Sequence, residues 1–234
     1  MNKKFKILIV IGMVFVLGYT FFYMTSYHPA QKEATDLLNG TDNVSVIKKD
    51  YGLLLDGDGN DTLLIFYPGA KNEYISYLPL LVDITNKGID CALVQMMFNF
   101  AFFGENTADS IIDSTNYSHY IMAGHSLGGL SAAAFTNHTG KADAVILLAA
   151  YPNSEVKKPV LSVYGSEDKI LNMKAYNDSK SLMDNLTEVI IDGGNHEQFA
   201  YYGPQEGDGV ANITPENQQN QTADAIFKFI SQLF

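Results

Sequence analysis

One hexapeptide, Gly124–Gly129 (GHSLGG), constrains the fold of this 234-residue chain more than any other feature. An apolar, strand-like run, Tyr120–Ala123, precedes it, and a run of small residues with helical character, Leu130–Phe135, follows it. The pattern predicts a strand, a sharp turn and a helix, with Ser126 at the bend, where glycine on both sides avoids Cβ clashes. The side chain of His125 is expected to point away from the serine. A serine held above a sheet in this way is typical of a nucleophile, so we predict that Ser126 is catalytic.

A serine nucleophile needs a base, and the base needs an acid that orients it. When the nucleophile lies at such a turn, the acid and the base follow it in the chain, each after a later strand. The run Leu161–Tyr164 leads into Glu167 and Asp168, and the run Val189–Ile191 leads into His196. Of the five histidines, only His196 follows the last predicted strand. We therefore predict His196 as the base and Asp168 as the acid, with the neighbouring Glu167 as the alternative.

Two backbone N–H groups are needed to hold the negative oxygen that forms when a serine attacks a carbonyl. One should be the N–H of Leu127, the residue after the nucleophile. The other should follow the buried strand Thr62–Tyr67, where the sequence Pro-Gly-Ala ends at Ala70. We assign the N–H of Ala70 as the second donor.

The long segment Glu197–Pro215 follows His196 and has no clear helix or strand period. Loops of this length are uncommon in compact domains unless they are functional or disordered. Its tyrosines, Tyr201 and Tyr202, are predicted to shape the substrate pocket. Its acidic residues favour a small neutral acyl substrate over an anionic one, because the chain has no arginine to offset them.

Composition excludes several other classes of function. The formal net charge of −11 is the opposite of what nucleic-acid binding requires, and the absence of arginine disfavours a clamped carboxylate or phosphate. The five histidines have no metal-ligand spacing, and Cys91 is a single cysteine in an apolar run. We therefore expect no metal, no cofactor, no nucleic-acid partner and no disulfide.

The N-terminus carries the pattern of a membrane-spanning segment. Three lysines precede an uncharged apolar run, Ile7–Met24, whose 18 residues would span roughly 27 Å as a helix, about the thickness of the hydrocarbon core. We predict an uncleaved transmembrane signal anchor at residues 1–24, a polar tether at 25–43 and a folded domain at 44–234. The lysines should stay in the cytoplasm, which places the domain outside. A cleaved signal and a secreted domain are the alternative.

The remainder of the chain alternates strand and helix patterns. Ala144–Leu148 is a continuous apolar run, as in parallel strands buried on both faces, whereas Thr222–Phe234 has the spacing of an amphipathic helix. Met97–Phe103 is predicted to be an aromatic loop. The alternation predicts an α/β fold, with a mostly parallel central sheet and helices on both faces.

Several of these segments together resemble a compact family of α/β-hydrolases, similar in size and layout to the dienelactone hydrolases. They are Phe66–Gly69, Gly124–Gly129, Leu147–Pro152, Tyr164–Asp168, Gly193–His196 and Tyr202–Gly209. The resemblance covers the chain from about Leu37 to its end. It implies the α/β-hydrolase fold and a serine hydrolase of carboxylic esters or related acyl compounds, with Ser126, Asp168 and His196 as its triad. Dienelactone-type enzymes use a cysteine nucleophile and substrate-binding arginines, so the resemblance transfers the type of reaction and not the substrate.

Many hydrolases of this fold insert a lid after the strand that follows the serine-bearing helix. Here only Ala150–Lys158 separates two predicted strands, so no lid domain is expected. The sequence thus predicts a membrane-anchored, extracytoplasmic serine hydrolase that forms an acyl-enzyme on Ser126. An acyltransferase of the same fold and a catalytically silent surface-binding protein are the alternatives, and the oligomeric state is left open.

Overall fold

The computed structural model describes residues 3–58, 61–96 and 107–234, and the predicted aromatic loop at Met97–Phe103 lies outside them. The strands are β1 (Ser45–Lys49), β2 (Gly52–Asp56), β3 (Thr62–Tyr67), β4 (Asp90–Val94), β5 (His119–His125), β6 (Ala144–Leu148), β7 (Val160–Gly165) and β8 (Leu186–Ile191). The α-helices are α1 (Lys3–Ser26), α2 (Lys32–Thr35), α3 (Leu78–Thr85), α4 (Thr107–Ser114), α5 (Leu127–Thr139), α6 (Met173–Ser179) and α7 (Pro215–Ile230).

The eight described strands form one sheet in the order β1-β2-β4-β3-β5-β6-β7-β8. β1 pairs antiparallel with β2, and β2 pairs antiparallel with β4, whereas every pairing from β4 through β8 is parallel. The predicted mostly parallel sheet is therefore confirmed. Because the strands run in one direction, the carboxyl ends of β3, β5, β6, β7 and β8 meet along one edge, where open α/β sheets hold their ligands.

Helices cover both faces of the sheet, as predicted. Alternate residues of β3 point to opposite faces: Leu64 and Phe66 enter a core with α3 and α7, and Leu63 and Ile65 enter a core with α4 and α5. β3, β4, β6 and β7 are buried along their whole length. Their continuous apolar runs follow from this two-sided burial.

The final helix is longer than its apolar spacing predicted, because α7 begins at Pro215 and not at Thr222. Thr214 precedes the helix, and its side-chain oxygen accepts a hydrogen bond from the N–H of Asn217 at 3.3 Å. The first two turns are polar, which hides the helical period. Gln218 is nevertheless buried and faces the domain.

The N-terminal helix α1 contains an 18-residue window, Lys4–Phe21, that is long and apolar enough to cross a membrane, a test that a signal sequence also passes. The segment predicted to be a polar tether lies against the domain. The N–H of His28 donates to the carbonyl of Lys71 at 3.0 Å, and Ala34 of α2 is fully buried. The residues that follow the apolar helix are thus held beside the loop that follows β3.

Candidate active site

Ser126 lies on a strained turn at the carboxyl end of β5. Its φ of 52° and ψ of −122° belong to a region that residues with a side chain rarely adopt. Its N–H donates to the carbonyl of Leu148 at 2.9 Å, which fixes the turn against β6. Lys71 and Ala149, after β3 and β6, are the other described non-glycine residues with positive φ, at 63° and 47°. The strain is therefore concentrated at the ends of three neighbouring strands, as is common at functional sites.

The glycines around the serine are required because backbones meet there. A Cβ on Gly124 would lie 2.4 Å from the carbonyl carbon of Gly128, and a Cβ on Gly128 would lie 2.1 Å from the carbonyl oxygen of Tyr67. A Cβ on Gly129 would lie 2.5 Å from the Cβ of Ala150. Three glycines therefore let β5, the start of α5 and the loops after β3 and β6 approach one another at this turn.

Asp168 and His196 form a buried pair. Nδ1 of His196 lies 2.9 Å from Oδ2 of Asp168, and the two side chains are 3% and 0% exposed. Oδ1 of Asp168 accepts hydrogen bonds from the N–H groups of Ile170 and Leu171, both at 2.8 Å, which fix the carboxylate. The Nδ1–H of His196 can therefore donate to the carboxylate, which leaves Nε2 free to accept a proton. Glu167, the alternative acid, accepts a hydrogen bond from a neighbouring serine hydroxyl, and its side chain is half-buried.

The segment that follows His196 in the chain makes hydrogen bonds to the loops that carry both members of this pair. Oδ1 of Asp208 accepts from the N–H of Lys169 at 3.1 Å, and its Oδ2 accepts from the N–H of Glu197 at 2.9 Å. A Cβ on Gly209 would lie 1.8 Å from the carbonyl oxygen of Glu167. This segment therefore joins the loop that carries Asp168 to the loop that carries His196.

Tyr201 and Tyr202 are not among the residues that line the cavity described below, and their role in shaping the substrate pocket stays a prediction. Both side chains are buried. The hydroxyl of Tyr201 donates to Glu216, and that of Tyr202 donates to Gln205 at 2.9 Å. The ring of Tyr202 also packs against His28, with 5.4 Å between the centroids. These tyrosines turn inward because their rings fill the space between the domain and the segment that precedes α2.

A cavity of about 240 Å³ opens at the carboxyl ends of the strands, and both Ser126 and His196 line it. Most of its other lining residues are apolar, and they include Leu130, Ala150, Tyr151, Ile170 and Leu171. Asn172 adds a polar side chain, and the described residues that line the cavity include neither lysine nor arginine. β6 ends at Leu148 and β7 begins at Val160, so their connection is too short for a lid domain, as predicted. The described wall of the cavity is therefore mostly apolar and carries no cationic side chain.

The two predicted oxyanion donors lie at this end of the sheet. Leu127 is the first residue of α5, so its N–H has no partner within the helix and lies at the positive end of the helix dipole. Ala70 follows β3, and the preceding N–H, that of Gly69, donates to a buried tyrosine hydroxyl at 3.0 Å. A Cβ on Gly128 would lie 2.5 Å from the carbonyl oxygen of Pro68, so the loop after β3 lies directly against the start of α5. Both segments therefore border the turn that carries the serine.

His125 and Tyr77 contact each other beside the site, and the sequence did not reveal this contact. His125 is fully buried, its Nδ1 lies 2.8 Å from the hydroxyl of Tyr77, and its ring centroid lies 4.5 Å from that of His196. The two bonded residues are 48 positions apart in the chain. The only sequence signal was a histidine on an otherwise apolar strand beside the nucleophile.

The described residues support neither a cysteine nucleophile nor a metal site. Cys91 is fully buried, and burial raises the pKa of its thiol, so the thiolate that a nucleophile requires is disfavoured. Among the same residues no group of three or more His, Cys, Asp or Glu side chains could hold a metal ion.

Comparison with solved structures finds proteins of the same fold. Among solved structures, a membrane phospholipase A described as a bacterial virulence factor matches with a TM-score of 0.62 at 12% identity, over 99% of each chain. A predicted CIB-like hydrolase from Thermoplasma acidophilum matches with a TM-score of 0.59 at 12% identity, over 79% of this chain and 99% of its own. Est1E from Butyrivibrio proteoclasticus matches with a TM-score of 0.56 at 16% identity, over 81% of this chain and 100% of its own.

These structures share the fold of the chain. No curated protein matches its sequence. The model of the alpha/beta hydrolase family matches residues 63–220, which span β3 through the first turns of α7 and include Ser126, Asp168 and His196. The chain therefore belongs to the alpha/beta hydrolase family.

Proposed function

We propose that this protein is a membrane-anchored serine hydrolase that cleaves carboxylic esters of small, neutral acyl groups through an acyl-enzyme on Ser126. One observation carries the proposal: Ser126 on its strained turn and His196, which is paired with the buried Asp168, line the same cavity. Each of the three residues follows a different parallel strand, so the sheet fixes their relative positions.

The proposed reaction uses these groups in sequence. Ser126 Oγ attacks the ester carbonyl, and Nε2 of His196 takes the hydroxyl proton while Asp168 holds the imidazolium that forms. The N–H groups of Leu127 and Ala70 stabilise the oxyanion. The tetrahedral intermediate collapses, and His196 returns the proton to the leaving alcohol. Water then attacks the acyl-enzyme by the same route and releases the acid.

The shape and charge of the cavity support the substrate class. Its volume of about 240 Å³ lies below the range of roughly 300–1,000 Å³ that is typical of sites for drug-sized ligands. Its walls are mostly apolar, and the whole chain has a net charge of −11. An anionic substrate would therefore meet no cation on the described walls and an unfavourable field around them. Short, neutral acyl chains suit this site best.

The N-terminal helix supports the membrane location. α1 is long and apolar enough to cross a bilayer, and lysines lie at its amino end, which favours a cytoplasmic N-terminus and an extracytoplasmic domain. The solved membrane phospholipase A matches over 99% of this chain. Extraction of expressing cells with sodium carbonate tests the location: an anchored chain stays in the membrane pellet, whereas a chain with a cleaved signal leaves it.

Hydrolysis of an ester series tests the activity. The full chain, purified in detergent, is assayed with p-nitrophenyl esters from acetyl to dodecanoyl. Ser126→Ala is the inactive variant, and Ser154→Ala, which alters an exposed serine outside the cavity, is the matched control. We expect turnover that decreases for long acyl chains, that is lost in Ser126→Ala and that persists in Ser154→Ala.

The same assay separates the alternatives. An acyltransferase would give more ester product than acid when a second alcohol is added, because the alcohol would compete with water for the acyl-enzyme. A silent binding protein would give no turnover with any ester. Either result would refute the proposed hydrolase.

A further inference from the structure

A single buried hydroxyl links the two halves of the candidate site. Oη of Tyr77 accepts hydrogen bonds from the N–H of Gly69 at 3.0 Å and from Nδ2 of Asn72 at 3.2 Å. It also lies 2.8 Å from Nδ1 of His125. A phenol has one proton and two lone pairs, and the two donors occupy the lone pairs. The proton of Tyr77 is therefore directed to His125, whose Nδ1 acts as the acceptor.

This hydrogen bond fixes the state of His125. With Nδ1 as acceptor, the ring is neutral and carries its proton on Nε2. Nε2 is buried and makes no hydrogen bond of normal geometry among the described atoms, although it interacts with the main chain of His196. Burial lowers the pKa of His125 well below its usual value, and the charge of the neighbouring His196 lowers it further, while a contact with the main chain of His196 opposes the shift in part. A buried N–H without a well-formed hydrogen bond is costly in a folded protein, so its presence beside His196 requires an explanation.

The position of the His125 ring supplies this explanation. The ring of His125 packs on that of His196 with 4.5 Å between centroids, and on Phe199 with 5.5 Å. In the proposed reaction His196 becomes positively charged when it takes the proton of Ser126. A neutral ring can pack against that cation, whereas a charged ring would oppose it.

We propose, on the basis of the function proposed above, that Tyr77 and His125 are positioning residues for acyl transfer. Tyr77 holds the main chain at Gly69, next to the oxyanion donor Ala70, and His125 supports the ring of His196 from its buried side. Neither residue lines the cavity. One hydrogen-bonded unit thus sets the distance between the oxyanion donor and the base.

The test is steady-state kinetics of the full chain on p-nitrophenyl acetate. Tyr77→Phe keeps the ring and removes the hydroxyl, so we expect kcat to fall roughly 10- to 100-fold, less than the loss that follows removal of a whole oxyanion donor. KM should stay within about threefold, because substrate contacts are unchanged. Tyr120→Phe is the matched control: it removes a hydroxyl that bonds the N–H of Tyr117 and the carbonyl of Thr115 at the opposite end of β5. Its kcat should match the wild type.

Variants of His125 keep the proposal testable if Tyr77→Phe does not fold. Asparagine can place an acceptor near the position of Nδ1, whereas leucine cannot. We expect His125→Leu to lower kcat as Tyr77→Phe does and His125→Asn to recover most of that loss, with thermal melting used to verify that each variant is folded. Wild-type kcat in folded Tyr77→Phe and folded His125→Leu would overturn the proposal, as would a rise in KM at constant kcat.

The outcome separates this proposal from the proposed function. If Ser126→Ala abolishes hydrolysis and the folded Tyr77 and His125 variants remain fully active, the hydrolase stands and the positioning role fails. If the wild type shows no hydrolysis, the proposed function fails first.

Discussion

Replacement of Asp168 by asparagine is the most informative change at the candidate acid. Asparagine has nearly the same shape, and its oxygen can keep the bonds from the N–H groups of Ile170 and Leu171. Its amide nitrogen would then face Nδ1 of His196 in place of the carboxylate oxygen at 2.9 Å. A donor in that place requires Nδ1 to accept, so the ring must carry its proton on Nε2. His196 then cannot take the proton of Ser126.

The expected loss in kcat for Asp168→Asn is about 10⁴-fold, as for a triad whose histidine is held in the wrong tautomer. At about 1.4 kcal/mol per tenfold, this corresponds to roughly 5–6 kcal/mol of lost transition-state stabilisation. Folding should change much less, since two of the three hydrogen bonds to the carboxylate can be kept. The assay is hydrolysis of p-nitrophenyl acetate, with thermal melting as the check of the fold.

Glu167→Gln is the matched control for this experiment. Glu167 is the adjacent carboxylate, but it accepts from a serine hydroxyl at 3.3 Å and is not bonded to the base. Its replacement should change kcat by less than about threefold, as expected for a side chain outside the reacting unit. Near-normal turnover in Asp168→Asn together with a large loss in Glu167→Gln would show that the acid has been assigned to the wrong carboxylate.

Three further predictions concern the cavity, the aromatic residues after the base and the dependence of stability on pH. Leu130→Trp should narrow the cavity and lower kcat/KM for butanoyl relative to acetyl esters roughly tenfold; an unchanged ratio would exclude this wall from acyl binding. Tyr202→Ala should cost about 3–5 kcal/mol in the free energy of unfolding, measured in urea, and leave the preference for acyl chain length unchanged; a shifted preference would instead support a role of Tyr202 in the pocket. Because burial lowers the pKa of His125 below 6.5, the unfolded chain binds more protons at acidic pH, so stability should fall as the pH drops below 6.5, by up to roughly 1.4 kcal/mol per unit. His125→Asn should weaken that dependence in thermal melts, and an unchanged slope would contradict it.

The sequence was sufficient for the strand that ends in the serine turn and for the alternation of strands and helices that follows it. Glycine at positions 124 and 128, apolar runs and the order Ser126, Asp168, His196 are local or sequential features. The α/β fold depends on such features, because short connections and right-handed crossovers leave few alternatives. The membership of the family follows from the same motifs.

The direction of side chains in irregular segments could not be predicted in the same way. Tyr201 and Tyr202 follow the base in the chain, but their rings turn into the space beside the segment that precedes α2. That space exists only because the N-terminal segment folds back onto the domain, a contact between residues far apart in sequence. The contact between Tyr77 and His125 depends on tertiary structure for the same reason.

The most direct measurement of the central claim is the mapping of a covalent adduct. The full chain in detergent is treated with a fluorophosphonate, which phosphonylates activated serines, and its peptides are analysed by mass spectrometry. The account predicts one adduct per chain, on the peptide that contains Ser126, and none in Ser126→Ala, while Ser154→Ala is modified like the wild type. Undiminished modification of Ser126→Ala, or hydrolysis of esters by a chain that the reagent does not modify, would contradict it.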